Sequence, residues 1–249
     1  MIGAIIGDIA GSVFEFRNTY DYNFPLFADG SAYTDDTICT IAIADAILRG
    51  GSYEERLHTW CRKYPDPKGA YGGSFSRWIM SDKPKPYGSY GNGSAMRVSP
   101  VGWAFNNKKK VAAEAKKTAE CTHNHREGIK GAVAVAKAIF MLRTTNDKNS
   151  LNDIIATYEG YKRPERGVFD VTCQGCVPLA LDIIMQSRHF EDAIRLAVSY
   201  GGDSDTLGAI VGSMAEAIYE VPDFLREEVM SILPNEMARV VAEFEAKYK

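Results

Sequence analysis

Residues 108–123, KKKVAAEAKKTAECTH, and residues 125–143, HREGIKGAVAVAKAIFMLR, read as two helices in succession. The first is built from Ala, Lys and Glu, side chains that lose little freedom in a helix. The second places Ile129, Val133, Ala136 and Phe140 at three- and four-residue spacing, the mark of one helical face. The same texture extends outward. FEDAIRLAVSYG (190–201) is periodic and stops at a Gly pair, a common helix end. Residues 222–230 and 235–249 give two more amphipathic segments. Alternating apolar and polar runs of strand length are nearly absent, and no fixed-period repeat occurs. These patterns predict an all-α fold, with residues 1–249 forming a single domain of short to medium helices.

Residues 65–93 break the pattern. PDPKGAYGGSFSRWIMSDKPKPYGSYGNG holds six Gly and four Pro, so loops are expected there, with one short helix around 75–80. With 249 residues the chain can bury a core without disulfides or a structural metal. The net charge of −3 and 24% charged residues give no electrostatic footprint for non-specific nucleic-acid or membrane binding. The longest runs free of charged residues are 11 long, for example 171–181, against about 20 apolar residues for a membrane span. MIGAIIGDIAGSVFEF lacks a basic start and carries Asp8, so no secretory leader is expected. Cys39, Cys61, Cys121, Cys173 and Cys176 are odd in number and scattered, which fits a reducing cytoplasm.

Two acidic clusters carry chemistry. YTDDT (33–37) precedes the apolar run ICTIAIADAIL, and GGDSDT (201–206) precedes LGAIVGSMAEAIY. Asp and Thr at a helix start are ordinary caps, and the helix dipole favours acids there. A cap needs one side chain, whereas each cluster has two Asp and a Thr. Should the two starts converge, Asp35, Asp36, Asp203 and Asp205 would bring four carboxylates together, too many to bury without cations. Convergence cannot be read from the sequence. Hard oxygen donors without His or Cys favour Mg²⁺ or Mn²⁺ over Zn²⁺, and four carboxylates suit two ions.

GAIIGDIAGSVFE (3–15), YTDDT (33–37), GSYGNGSAMR (88–97), THNH (122–125) and GGDSDT (201–206) together resemble the ADP-ribosylglycohydrolase family, which includes the enzyme that reactivates dinitrogenase reductase. The resemblance implies an all-α orthogonal helical bundle with two Mg²⁺ (or Mn²⁺) ions. It implies a hydrolase that releases ADP-ribose from an O- or N-linked acceptor. Thr34, Asp35, Asp36, Asp203, Asp205 and Thr206 match its metal ligands. Glu15 matches an acidic residue implicated in catalysis in the branch acting on serine-linked and related O-linked ADP-ribose. Gly88, Ser89, Tyr90 and Asn92 match a loop holding the diphosphate and distal ribose, and His123 a ligand-contacting histidine. Gly72, in KGAYGG, falls in a second phosphate-contacting loop by a looser match. The expected partner is the ADP-ribose moiety of a modified substrate, and the expected state a cytoplasmic monomer. A non-catalytic ADP-ribose reader and a structural protein, as in lens crystallin relatives, are the alternatives. Intact oxygen ligands favour the enzyme, and the acceptor stays open.

Several residues carry competing readings. Asp8 and Glu15 are seven apart, two turns of one helix, and Glu15 among Val13, Phe14 and Phe16 should have a raised pKa. Arg97 could reach a phosphate, but an intramolecular salt bridge is the expectation. His125 reads as structural. Cys173 and Cys176 form a C-x-x-C without redox or zinc context and read as small buried residues near a helix start.

Overall fold

The computed structural model describes all 249 residues. Helices take up 62% of the chain and no strand forms; the extended backbone meets only in isolated bridges, Thr34 with Lys68 and Gly91 with Thr172. In chain order the helices are α1 (Ile2–Gly11), α2 (Asp35–Arg49), α3 (Tyr53–Lys63), α4 (Gly73–Met80), α5 (Gly93–Met96), α6 (Ser99–Ala104) and α7 (Lys108–Glu120). After them come α8 (Arg126–Thr145), α9 (Asn152–Ala156), α10 (Cys173–Gln186), α11 (Phe190–Val198), α12 (Ser204–Ala215), α13 (Asp223–Ile232) and α14 (Asn235–Tyr248). None is long and apolar enough to cross a membrane. The buried apolar side chains join into one cluster of 66 residues, as one domain requires.

At the centre lie α1 and α12, each buried along its whole length. They touch backbone to backbone. A Cβ at Gly3 would lie 2.3 Å from the Gly212 carbonyl oxygen, and one at Gly7 would lie 2.0 Å from that of Gly208. One at Gly11 would lie 2.4 Å from the Ser204 carbonyl oxygen. Any side chain would drive the pair apart, so glycine every fourth residue is what permits the approach. The pairing runs antiparallel, so the C-terminal end of α1 meets the N-terminal end of α12. The Ser204 hydroxyl donates to the Gly11 carbonyl at 3.0 Å and pins that junction.

Helix α2 is docked onto α1 by a buried carboxylate. Asp8 accepts from the Thr34 backbone N–H at 3.0 Å, the Thr34 hydroxyl at 2.7 Å, the Thr37 backbone N–H at 3.1 Å and the Thr37 hydroxyl. Asp8 thus does from a neighbouring helix what a cap does locally. Three helix termini are gathered at one end of the bundle.

Two expectations are corrected. α1 stops at Gly11, so Asp8 and Glu15 do not share a helical face; Glu15 lies in the turn that follows. On α8 the fully buried face runs through Ala132, Val135, Ile139 and Leu142; of the expected face Ala136 is buried, whereas Ile129, Val133 and Phe140 are half-buried. Small residues decide this. A Cβ at Gly128 would meet the Ser89 carbonyl oxygen at 2.6 Å, and one at Gly131 the Cys173 sulfur at 2.4 Å. Close approach on the glycine side outweighs the size of the aliphatic side chains opposite.

Candidate functional site

Where the three termini meet, a cavity of about 460 Å³ opens, within the range of small-molecule sites. One wall is acidic: Glu15, Asp35, Asp36, Asp203, Asp205 and Thr206 all line it. Oxygens of Glu15, Asp203 and Asp205 lie within 4.8 Å of one another. Thr34 stands behind Asp36. Its hydroxyl proton goes to Asp8, and its oxygen caps α2 by accepting from the Asp36 N–H at 3.2 Å. The Thr206 hydroxyl reaches Asp36 Oδ2 at 3.3 Å, linking α12 to α2. The structure therefore brings both Asp–Thr clusters to one place.

The electrostatics are those of an uncompensated acid cluster. Burial pushes Asp205 and Asp36 well above the carboxylate range, helped by Asp203 and Asp36 for the first and by Asp8 and Asp35 for the second. Asp35 is raised by burial and then by Asp8 and Asp203. Burial raises Asp203 too, against an opposing bond from Asn92, whose Nδ2 donates to Asp203 Oδ2 at 2.6 Å. Asp8 rises to about 6 by burial despite its four bonds. Glu15 reaches about 7, by burial first and then by Asp203 and Asp8, with Lys68 opposing. No cation from the chain pairs with the cluster, and Asp36 Oδ1 and Asp205 Oδ1 are buried with no hydrogen-bond partner. Two orphaned anionic oxygens among hard oxygen donors fit a divalent metal ion.

The opposite walls are glycine-rich. Residues 69–75 run along the cavity. Gly69, at φ +77°, packs so tightly on Glu15 that a Cβ there would come 2.6 Å from its carboxylate. Gly72 precedes α4 with no side-chain cap, leaving the first N–H groups of that helix without a side-chain acceptor, the arrangement that binds anions. The second loop contributes Ser89, Gly91, Asn92 and Gly93. It is tied to the start of α10 by the Asn92 N–H to the Val171 carbonyl at 2.8 Å and the Cys173 N–H to the Tyr90 carbonyl at 2.9 Å. Gly88 and Tyr90 stand outside the cavity lining. The Gly88 N–H is held by Asn124 Oδ1 at 2.7 Å, and the exposed Tyr90 ring leans on His125. His123 is buried against the loop, and His125 caps α8, as its structural reading required.

Some participants escaped the sequence reading. Asp8 was visible as an acid inside an apolar run, but not as the support of Thr34. Phe16 and Phe169 stack at 6.0 Å on the rim beside Glu15, both largely exposed. Arg97 makes no salt bridge. It is buried and donates to the Thr118 carbonyl and the Thr122 hydroxyl, both at 2.8 Å. Cys173 and Cys176 are free and buried at the start of α10.

Known proteins share this plan. The chain is 27% identical over 254 residues to the ADP-ribosylhydrolase ARH3 of Bos taurus, spanning 88% of this chain and 67% of that protein. It is 22% identical to the ADP-ribosyl-[dinitrogen reductase] glycohydrolase of Rhodospirillum rubrum, over 89% and 85% of the two chains. A solved structure described as an ADP-ribosylglycohydrolase-related protein complex superposes with a TM-score of 0.76 at 23% identity, covering all of this chain and 96% of that one. The sequence model of the ADP-ribosylglycohydrolase family matches residues 1–248, and the chain belongs to that family.

Proposed function

We propose that this protein hydrolyses the bond between the anomeric carbon of ADP-ribose and an O- or N-linked acceptor, acting as a cytoplasmic monomer with two Mg²⁺ or Mn²⁺ ions. The observation that carries the reading is the acid wall with two orphaned oxygens facing a glycine-lined cavity. The metals would be held by Thr34, Asp35, Asp36, Asp203, Asp205 and Thr206. When bound, they would supply neutralising charge and Lewis-acid polarisation.

The chain's own groups do the rest. The N–H groups at the start of α4, after Gly72, bind the diphosphate, joined by Ser89 from the facing loop. Asn92 fixes the Asp203 carboxylate, and Asp8 fixes Thr34. Glu15 carries the proton. Burial and then Asp203 and Asp8 raise its pKa to about 7 in the metal-free chain; cations bound to the neighbouring carboxylates would lower it and favour Glu15 as the base. As water's oxygen bonds to the anomeric carbon and the bond to the acceptor breaks, one proton passes from water to the acceptor atom, with Glu15 as its carrier. The carboxylates around the ribose stabilise the oxocarbenium-like charge. The Phe16–Phe169 pair lies on the Glu15 side, where the acceptor departs.

The test is release of free ADP-ribose from serine-linked, arginine-linked, acetyl-ester and nucleic-acid-end substrates, with and without EDTA. EDTA-sensitive release from at least one is expected. Tight ADP-ribose binding with no release from any would instead make the protein a reader, and metal-independent release would overturn the mechanism.

A further inference from the structure

We propose that Arg97 and Thr122 are positioning residues that lock His123 in the tautomer protonated on Nε2, so that the ring offers the cavity a hydrogen-bond donor and never an acceptor. Three buried groups stand in line. Arg97 Nη2 lies 2.8 Å from the Thr122 hydroxyl oxygen, and that oxygen lies 2.7 Å from His123 Nδ1. Arg97 and Thr122 are almost fully buried and His123 is 5% exposed, so bulk water cannot satisfy them.

The proton placement follows by elimination. A guanidinium only donates, so the Thr122 oxygen must accept from Arg97. The Thr122 hydroxyl proton then needs an acceptor of its own, and His123 Nδ1 is its one partner in reach. Were Nδ1 protonated, the Thr122 oxygen would accept twice and its own proton would point at nothing, a penalty of order 10-fold or more in equilibrium terms. Nδ1 therefore accepts, and in a neutral ring the proton sits on Nε2. The ring is neutral: burial, and then the Arg97 charge, hold His123 well below the usual histidine range.

Nε2 makes no hydrogen bond within the chain. It faces the loop where side chains are missing: a Cβ at Gly93 would lie 3.1 Å from it and one at Gly91 3.6 Å. His123 lines the cavity together with Arg97. Arg97 spends its Nη2 on the Thr118 carbonyl and the Thr122 hydroxyl. Its Nε is itself buried without a partner, and its fixed positive charge has no carboxylate to neutralise it, which also favours an anion on the far side of the ring. The donor is matched to an oxygen of the ligand, and for the identity of that oxygen the inference rests on the ADP-ribose reading.

The tautomer is read from long-range ¹H–¹⁵N correlation spectra of the full-length, unliganded protein, with His123→Gln identifying the His123 peaks among the four histidines. The expected wild-type pattern has a pyridine-type Nδ1 and a protonated Nε2. Thr122→Val should let the ring redistribute between tautomers, and Thr122→Ser should restore the wild-type pattern. A protonated Nδ1 in wild type overturns the proposal, and this spectrum decides even if Thr122→Val fails to fold. So does an unchanged pattern in a folded Thr122→Val. Calorimetry with free ADP-ribose supplies the second reading: Thr122→Val should bind about 10-fold more weakly, and Thr122→Ser close to wild type. Equal binding by a Val variant with a changed tautomer removes the donor role. No ADP-ribose binding by wild type overturns the proposed function, while the spectra still judge the lock.

Discussion

Replacing Asp205 by Asn should stabilise the protein in EDTA and destabilise it relative to wild type in Mg²⁺. Asp205 has one oxygen buried without a partner, and its neighbours Glu15 and Asp203 hold oxygens within 4.8 Å. At an effective dielectric of about 20, two unit charges that far apart repel by about 3.5 kcal/mol. The raised pKa values mean the cluster is already partly protonated, so the relief is less than the sum over neighbours. About 2–4 kcal/mol is expected, which in a chain of this size corresponds to about 4–16 °C in Tm. Asn keeps the shape and leaves no cavity. With Mg²⁺ at ~1,000 times its Kd, wild type should gain about 4.1 kcal/mol by linkage, more than that relief, and the variant little of it. Differential scanning calorimetry at pH 7.5, in EDTA and across a Mg²⁺ titration, should show the two Tm curves crossing. A variant less stable than wild type in EDTA would refute the electrostatic reasoning, because Asp205 would then be serving the fold. Equal Mg²⁺ shifts in both proteins would remove it from the ligand set.

Glu15→Gln should lower turnover by about 10²–10⁴ with ADP-ribose affinity retained; single-turnover rates and calorimetry decide, and full activity would remove Glu15 from proton transfer. In EDTA, Tm should fall as pH rises from ~4 to ~7. The folded state holds Asp8 and Glu15 protonated up to about 6 and 7, above their unfolded values near 4, so it binds more protons than the unfolded chain across that window. Saturating Mg²⁺ should flatten the slope, and a Tm that rises with pH in EDTA would contradict the shifts. Gly7→Ala should lose about 3 kcal/mol or more, because its Cβ would sit 2.0 Å from a backbone oxygen that cannot rotate away; urea denaturation measures it, and a loss below 1 kcal/mol would show that the α1–α12 contact is softer than described.

Composition and spacing made the helices legible one by one. KKKVAAEAKKTAE and FEDAIRLAV became α7 and α11, because local propensity and periodicity are properties of a short window. Partner choice was not legible in the same way. The repeat of glycine at 3, 7 and 11, answered by 208 and 212, was present in the sequence, but a single glycine in a helix normally signals weakness rather than contact. The acid clusters at 35–36 and 203–205 were readable as too rich for caps, while their meeting depends on the antiparallel register of α1 and α12. Arg97 misled because a buried guanidinium suggests a carboxylate partner; a carbonyl and a hydroxyl took that place.

The glycine contact between α1 and α12 has no rotamers. Wherever side chains interlock, they can re-sort when charge or volume changes between them; two main chains lying against each other cannot. The spacing between the turn that carries Glu15 and the residues that begin α12 is therefore a stiff coordinate, set by peptide geometry. On the proposed two-ion reading, the backbone that carries these carboxylates should stay in place when an ion leaves. Ion exchange would then be a matter of stripping water from the cation rather than of rebuilding the protein around it, and on that reading the rate of metal uptake should follow the cation's own hydration, faster for Mn²⁺ than for Mg²⁺.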